Sequence, residues 1–518
     1  MPGLENSFVE TDTKAGRLRG IRFRGIESFL GIPYGATTAG AGRFAPPRPA
    51  ESWAGVREAL SFGDAPPQVD TRLGSTNSAQ NVHNLMYVKG GHPLDGARMS
   101  EDCLNLNVWT PSSADDAKRP VMVWFHGGGF VHGSAGSSLY NGDQLAHLGD
   151  VVVVTVNARL GLTGFLALDL IHGEAFRGSS NAGMLDLVAA LRWVRDNIAA
   201  FGGDPGNVTI FGQSGGGGKT NVLLGMPLAR GLFHKAINMS GPVLKVNEPD
   251  VAAQMANQVA EAAGIKAGDA EAWRQFPLRE LLDIQRTLSP ALGAAFGMEM
   301  AAAPASISFG WAPLLDGDIV TSHPFQGEAP PEADAIPMLV GFASHDPSLL
   351  MAGNPAFPSL DEETALELAA ANFGADGPAL LQKIMARHPS EPVRLQYARL
   401  VNRYTFAAAA VTVAQIKAKQ KAAVYLYEFA HTTSVLDGLL GATHSLDLPF
   451  TFNNVDRAVF AGTAESRHPT SRNMALAWTA FARSGNPNHD GIPQWPTYDH
   501  GFRRMVIGSV WEAVAADE

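Results

Sequence analysis

Two glycine-rich segments hold the residues whose types and spacing could do chemistry. One reads Gly212-Gln213-Ser214-Gly215-Gly216-Gly217-Gly218-Lys219-Thr220, entered from Asn207-Val-Thr-Ile-Phe211 and left through the helix-compatible Asn221–Leu224. A strand that runs through glycines into a helix serves two mechanisms. A phosphate-cradling loop, G-x-x-x-x-G-K-[ST], would end on Gly218-Lys219-Thr220 and needs its first glycine at 213. Gln213 stands there, and Gly212 leaves five intervening residues, so the register fails. The other mechanism is a nucleophile elbow, G-x-S-x-G, met by Gly212, Ser214 and Gly216. A sharp strand-to-helix turn forces strained dihedrals on the serine, and the flanking glycines relieve the crowding. The hydroxyl then projects from the sheet edge beside the next backbone N–H. A glycine-rich turn with an ordinary serine explains the five residues taken alone, but not the strand that leads into them.

The second segment is His126-Gly127-Gly128-Gly129-Phe130, directly after the apolar run Val121–Phe125. Consecutive glycines let backbone N–H groups approach a substrate and converge on one oxygen. The tetrahedral intermediate of acyl transfer needs such donors for its negative charge. A merely flexible turn accounts neither for the preceding histidine nor for the elbow downstream.

The elements that must position these loops follow from hydrophobic periodicity. Val121–Phe125 and Val151–Val156 read as central strands, Asn207–Phe211 as a strand entered through the turn at 202–206, and Ala236–Met239 as another. Asn181–Ala200 is an amphipathic helix, with Leu185, Val188, Leu191, Trp193, Val194 and Ile198 near a 3.6-residue period. Strand–helix alternation of this kind implies an α/β fold, a largely parallel sheet covered on both faces. Further on, Val251–Ala263, Glu362–Asn372, Val393–Lys419 and Ser471–Ser484 read as helices and Ala422–Phe429 as a late strand. Ser289–Pro304, rich in Ala, Met and Gly, has no period and reads as a loop or a cap over a pocket.

Composition narrows the class. The 518 residues are 45% hydrophobic and 17% charged, with a net charge of −11, which excludes disorder and argues against nucleic-acid binding. The longest apolar runs are far short of the roughly 20 residues of a membrane span. Cys103 is the one cysteine, so no intrachain disulfide forms, which favours a reducing compartment. The N-terminus has neither a basic nor an apolar stretch of the signal-peptide kind. The expectation is a cytoplasmic protein, 1–518 forming one domain with helical cap insertions roughly within 250–450.

With both motifs in hand, the chain resembles the type-B carboxylesterases, the cholinesterase and para-nitrobenzyl esterase group of α/β-hydrolases. The resemblance runs through Phe29-Leu-Gly-Ile-Pro-Tyr34, Ser100-Glu-Asp-Cys-Leu-Asn-Leu-Asn-Val-Trp-Thr-Pro111 and Asn157-Ala-Arg-Leu-Gly-Leu-Thr-Gly-Phe165. It continues through Trp193–Ile198, Phe201–Thr209, Pro313–Asp318 and Phe481–Asn488. The resemblance implies an α/β-hydrolase fold and a serine esterase without a cofactor, and the sequence offers no His/Cys/carboxylate cluster at ligand spacing, so no metal is expected. It implies His444 as the base, from Gly441-Ala-Thr-His-Ser-Leu-Asp-Leu-Pro-Phe450. It implies Asp346 as the acid, from Gly341-Phe-Ala-Ser-His-Asp346-Pro347, where Asp replaces the commoner Glu and Pro347 a Gly. The order Ser214, Asp346, His444 is the one this fold uses. Gly128, Gly129 and Gly215 would supply the oxyanion N–H groups. Glu101, Arg159, Ser240 and Asp447 match positions expected to tie loops together, and His345 should point away from Asp346.

Departures from the family bear on the substrate. Gln213 stands where most members have Glu, and no Phe, Tyr or Trp occurs from Val88 to Val108 to face a choline head. Phe130, Ile307, Phe309, Leu349 and Leu350 fall where the family lines its pocket. These features point to a neutral apolar or aryl ester. Carbamates, amides or lactones are the alternative for the same triad, and a non-catalytic binding relative is the alternative from another class. Oligomeric state is open.

Overall fold

The computed structural model describes residues 7–69, 98–266, 268–289, 310–499 and 503–515. Their strands form a single 13-stranded sheet. They are β1 (Ser7–Thr13), β2 (Gly16–Phe23), β3 (Ile26–Pro33), β4 (Val56–Glu58), β5 (Asn105–Thr110), β6 (Arg119–Phe125) and β7 (Val152–Val156). After them come β8 (Gly203–Gln213), β9 (Lys235–Met239), β10 (Met338–Ala343), β11 (Val424–Phe429), β12 (Arg503–Ile507) and β13 (Trp511–Ala515). The order is β1-β2-β3-β5-β7-β6-β8-β9-β10-β11-β12-β13, with β4 beside β2. From β7 to β12 the neighbours are parallel, whereas β1, β2, β3, β5 and β13 join antiparallel at the two sides.

The central strands are buried on both faces, which is why they read as continuous apolar runs. On β6, Val121, Val123 and Phe125 enter the core on one face, and Met122 and Trp124 the core on the other. The helix Ala182–Asn197 covers the first face; Arg467–Ser484 covers the second. A third cluster, built on Leu162, Leu166, Trp273 and Leu281, lies under the helices Pro249–Ala263, Ala270–Gln275 and Leu278–Leu288.

Chain order turns back between β6 and β8: β7 lies on one side of β6 and β8 on the other. Ligands of open α/β sheets bind beyond the carboxyl ends of strands at such a switch point. Both glycine motifs leave the sheet there.

Two expectations change. The turn at 202–206 is absorbed into β8 as an irregularity: Arg119 pairs with Gly203 and Val121 with Val208. The expected helix over Val393–Lys419 is two helices, Val393–Asn402 and Phe406–Lys417, broken at Thr405 (φ −122°, ψ −107°). Of the segment Ser289–Pro304, residues 290–304 lie outside the described residues.

Candidate active site

Ser214 occupies the whole turn between β8 and the helix Gly215–Leu224. Its φ of 57° and ψ of −123° belong to no ordinary well of an L-residue, a strain held in place by its surroundings. The Ser214 N–H donates to the Met239 carbonyl at 2.8 Å, and its carbonyl accepts from Gly218 at 2.9 Å. The turn closes because a glycine stands at 216: a Cβ there would sit 2.0 Å from the Phe125 carbonyl oxygen.

The loop after β6 meets this turn from the side. Gly128, Gly129 and Phe130 have φ of 91°, 58° and 64°, successive left-handed residues that fold the backbone back on itself. A Cβ on Gly215 would lie 2.5 Å from the Gly129 nitrogen, so the first turn of the helix and the loop are in direct contact. The N–H groups at a helix start have no intrahelical acceptor. Among the described residues the Gly128 and Gly129 N–H groups are also given to no acceptor. The Gly215 N–H, at the start of the helix, thus lies next to a loop whose Gly128 and Gly129 N–H groups donate to no backbone acceptor among the described residues.

Asp346 and His444 are in contact. His444 Nδ1 lies 2.7 Å from Asp346 Oδ1. The second carboxylate oxygen accepts from Ser240 Oγ at 2.9 Å and the Ala343 N–H at 2.7 Å. Held by three donors and fully buried, Asp346 has one orientation. With Nδ1–H given to a carboxylate, the His444 lone pair stands on Nε2. His345 points elsewhere: its Nδ1 accepts from the Ala442 N–H at 3.0 Å and its Nε2 lies 3.2 Å from Glu391. Its backbone bridges Thr443, which ties the loop of Asp346 to that of His444.

Behind these loops lies a buried ion network. Burial alone would raise the Glu428 carboxyl, but Arg399 and Arg504 outweigh it and bring it down to about 2. Ser344 Oγ donates to the same carboxylate at 2.6 Å. Burial, and after it the charge of Asp346, pushes the Asp447 carboxyl up to about 7. The Tyr427 hydroxyl donates to it at 3.1 Å. Glu101 is gripped by Arg43 through two 2.6 Å bonds, and Arg159 forms a buried two-point pair with Asp186 at 2.8 and 2.6 Å.

Gln213 is placed against the imidazole. Its Oε1 accepts from Ser445 Oγ at 3.0 Å, which leaves its Nε2 facing His444 Nε2 at 3.1 Å. Three further neighbours carry no sequence signal. Phe406, the first residue after the helix break, lays its ring on His444 with centroids 4.7 Å apart. Asn402, the last residue before the break, donates to the Ala343 and Ser344 carbonyls at 2.7 and 3.1 Å. Ser445 fixes the Gln213 amide. All three are single polar or aromatic residues inside helix- or loop-like stretches, and only the tertiary contact distinguishes them.

The other residues assigned to a pocket are placed less uniformly. Phe130 is fully buried, edge-on to Phe165 with centroids 5.6 Å apart. Leu349 is buried in the core beyond the sheet, and Leu350 is partly buried against the opposite core. Ile307 and Phe309 lie outside the described residues.

A strained serine at a strand-to-helix elbow, a glycine loop beside it and a carboxylate–histidine pair beyond adjacent parallel strands define a serine hydrolase of the α/β-hydrolase fold. The chain belongs to the carboxylesterase family, whose model matches residues 5–507. It is 33% identical over 512 residues to phenmedipham hydrolase of Pseudarthrobacter oxydans, covering 98% of this chain and 96% of that one. Para-nitrobenzyl esterase of Bacillus subtilis is 33% identical over 498 residues, covering 96% and 94%. Among solved structures, a carboxylesterase of Geobacillus stearothermophilus superposes with a TM-score of 0.80 at 35% identity over 98% of both chains. An esterase from Clostridium hathewayi, described as hydrolysing aliphatic aromatic polyesters, gives 0.81 at 32% identity over 99% and 97%. The protein is a carboxylic ester hydrolase of the serine type.

Proposed function

We propose that Ser214 is the nucleophile, His444 the general base and acid, and Asp346 the group that orients the imidazole, acting on neutral apolar or aryl esters. The 2.7 Å contact between His444 Nδ1 and Asp346 carries this reading, because a proton held on Nδ1 leaves the basic lone pair on Nε2. Ser214 Oγ attacks the ester carbonyl as His444 Nε2 takes its proton. The carbonyl oxygen, now negative, is met by the Gly128, Gly129 and Gly215 N–H groups. Collapse of the intermediate expels the alcohol, which receives the proton from His444 and leaves an acyl group on Ser214. Water, deprotonated by His444, repeats the sequence and releases the acid. The Gln213 amide must give up the Nε2 lone pair during the attack, since Ser214 uses the same site. No step uses a metal or cofactor.

A neutral substrate follows from Gln213, an uncharged amide where most of the family has a carboxylate. Phe130, Ile307, Phe309, Leu349 and Leu350 stay proposed as apolar lining. The single cysteine, Cys103, is buried and leaves no disulfide to form, which supports a cytoplasmic setting. We read 1–518 as one catalytic unit, with the helices between 250 and 450 capping it. Purified protein should hydrolyse para-nitrophenyl esters faster than matched amides and carbamates, and a fluorophosphonate should attach to Ser214. A label on any other residue would overturn the assignment of Ser214, and faster turnover of the carbamate would overturn the preference for esters.

A further inference from the structure

Lys219 is absorbed neither by a phosphate loop nor by the ester chemistry, and it is only 2% exposed. It lies on the helix Gly215–Leu224, five residues after Ser214, and among the described residues no carboxylate is within ion-pair distance of it. A buried ammonium without a counter-charge is costly and is kept only where its hydrogen bonds and contacts offset the lost hydration. Burial drives its proton affinity down to about 7. The His126 ring, itself lowered by burial and then by this lysine, is the titratable side chain that faces it among the described residues.

The contacts of Lys219 go to both ends of the glycine loop. Its Nζ donates to the His126 carbonyl at 3.0 Å and sits 5.8 Å from the centre of the Phe130 ring. Between those residues lie Gly127, Gly128 and Gly129. The His126 carbonyl is also pressed against the helix: a Cβ on Gly216 would meet its oxygen at 2.9 Å. At Gly218, a Cβ would come 3.3 Å from the Phe130 ring. The glycine face of the helix thus lets the loop approach, and the lysine reaches across to fasten it.

We infer that Lys219 is a positioning residue for the oxyanion loop, tying its first and last residues to the helix that carries the nucleophile. This rests on the assignment of Ser214 and the glycine loop made above. The loop's backbone bonds run onward, from the Val131 and His132 N–H groups to the Gly128 carbonyl at 3.0 and 2.9 Å and from the Gly161 N–H to the Phe130 carbonyl at 2.9 Å, whereas Lys219 ties the loop to the helix of the nucleophile. Donors that must meet a developing charge act only if fixed beforehand. Lys219 does so from behind the loop without touching substrate, so its effect falls on the transition state rather than on substrate binding.

The test uses the full chain carrying Lys219→Met, which keeps the length and removes donor and charge. kcat for a para-nitrophenyl ester should fall by about tenfold or more, less than the 10²–10³ of losing an oxyanion donor outright. KM should stay within about threefold, the pattern of an interaction made only in the transition state. Affinity for an alkyl trifluoromethyl ketone, which adds to the serine and places an oxyanion in the same hole, should drop in parallel with kcat. Lys219→Gln, which keeps an N–H donor, should recover part of both, and it carries the test if Lys219→Met fails to fold. Unchanged kcat in the folded variant, or a lower kcat with undiminished ketone affinity, overturns the inference while fluorophosphonate labelling still marks Ser214. Absence of that label in the wild type would instead remove the assignment beneath it.

Discussion

At the scale of single residues, the acid offers the sharpest test. Asp is a methylene shorter than the Glu common in the family, yet its carboxylate reaches His444 Nδ1 at 2.7 Å while Ser240 and Ala343 hold the other oxygen. Asp346→Asn should present the wrong hydrogen-bonding partner to the imidazole and cost about 10⁴ in kcat, as in a serine protease with the same exchange. A loss under tenfold would transfer the role to another carboxylate. Asp361 is a poor substitute, being exposed and engaged as the cap of the helix Glu362–Phe373. Gln213 is the second test. Gln213→Glu adds one charge beside the nucleophile, worth ~1–4 kcal/mol at several ångströms for effective dielectrics of about 80 to 20. The kcat/KM ratio of acetylcholine to its neutral dimethylbutyl counterpart should rise by about tenfold, a decade corresponding to roughly 1.4 kcal/mol. An unchanged ratio would leave Gln213 as packing alone. Both residues were legible through the family resemblance, because they stand in segments that match the family's motifs residue by residue. Asn402, Phe406 and Ser445 were not, since nothing local separates them from other helix and loop residues.

Elements were legible where burial makes them monotonous. β6 and β7 lie between two cores and read as apolar runs, so their positions differ from expectation by only one or two residues. β1 and β2 left no such trace: they are half-exposed and their outer faces carry Arg17–Asp12 and Arg19–Glu10 pairs in place of apolar residues. The helix break at Thr405 was hidden for another reason. Residues 393–419 keep a helical pattern throughout, and where the chain leaves it Asn402 donates to the Ala343 and Ser344 carbonyls while Phe406 packs on the imidazole. The break is thus a device of the site. Asn402→Ala should lower unfolding free energy by about 1–3 kcal/mol, the cost of leaving buried polar groups unpaired. It should also lower kcat, because those carbonyls sit in the loop that presents Asp346. Denaturant unfolding and ester kinetics on one sample read both; a variant destabilised with unaltered kcat would separate the break from the site.

At the scale of the molecule, the site draws on the segments that follow β6, β8, β9, β10 and β11, and this concentrates charge that the fold must tolerate. Asp447 shows the cost. Burial and Asp346 move its carboxyl from 3.8 to about 7, so between those values the folded chain retains a proton that the unfolded chain, titrating near about 3.9, has already released. A raised carboxyl of this kind contributes stability that is whole below pH ~4 and lost as pH rises through ~7. At about 1.4 kcal/mol for each tenfold change in proton affinity, the loss is at most ~4 kcal/mol for a rise from 3.8 to about 7. Asp447→Asn removes the titration but keeps an oxygen for the Tyr427 hydroxyl, 3.1 Å from the native carboxylate. Other groups, histidines above all, also titrate in this window, so the informative quantity is the difference between variant and wild type. In urea unfolding at a series of pH values, the variant should match or trail the wild type near pH 5, gain on it to about pH 7 and level off by pH ~8. A difference that stays flat across that range would mean that Asp447 ionises alike in the folded and unfolded chain.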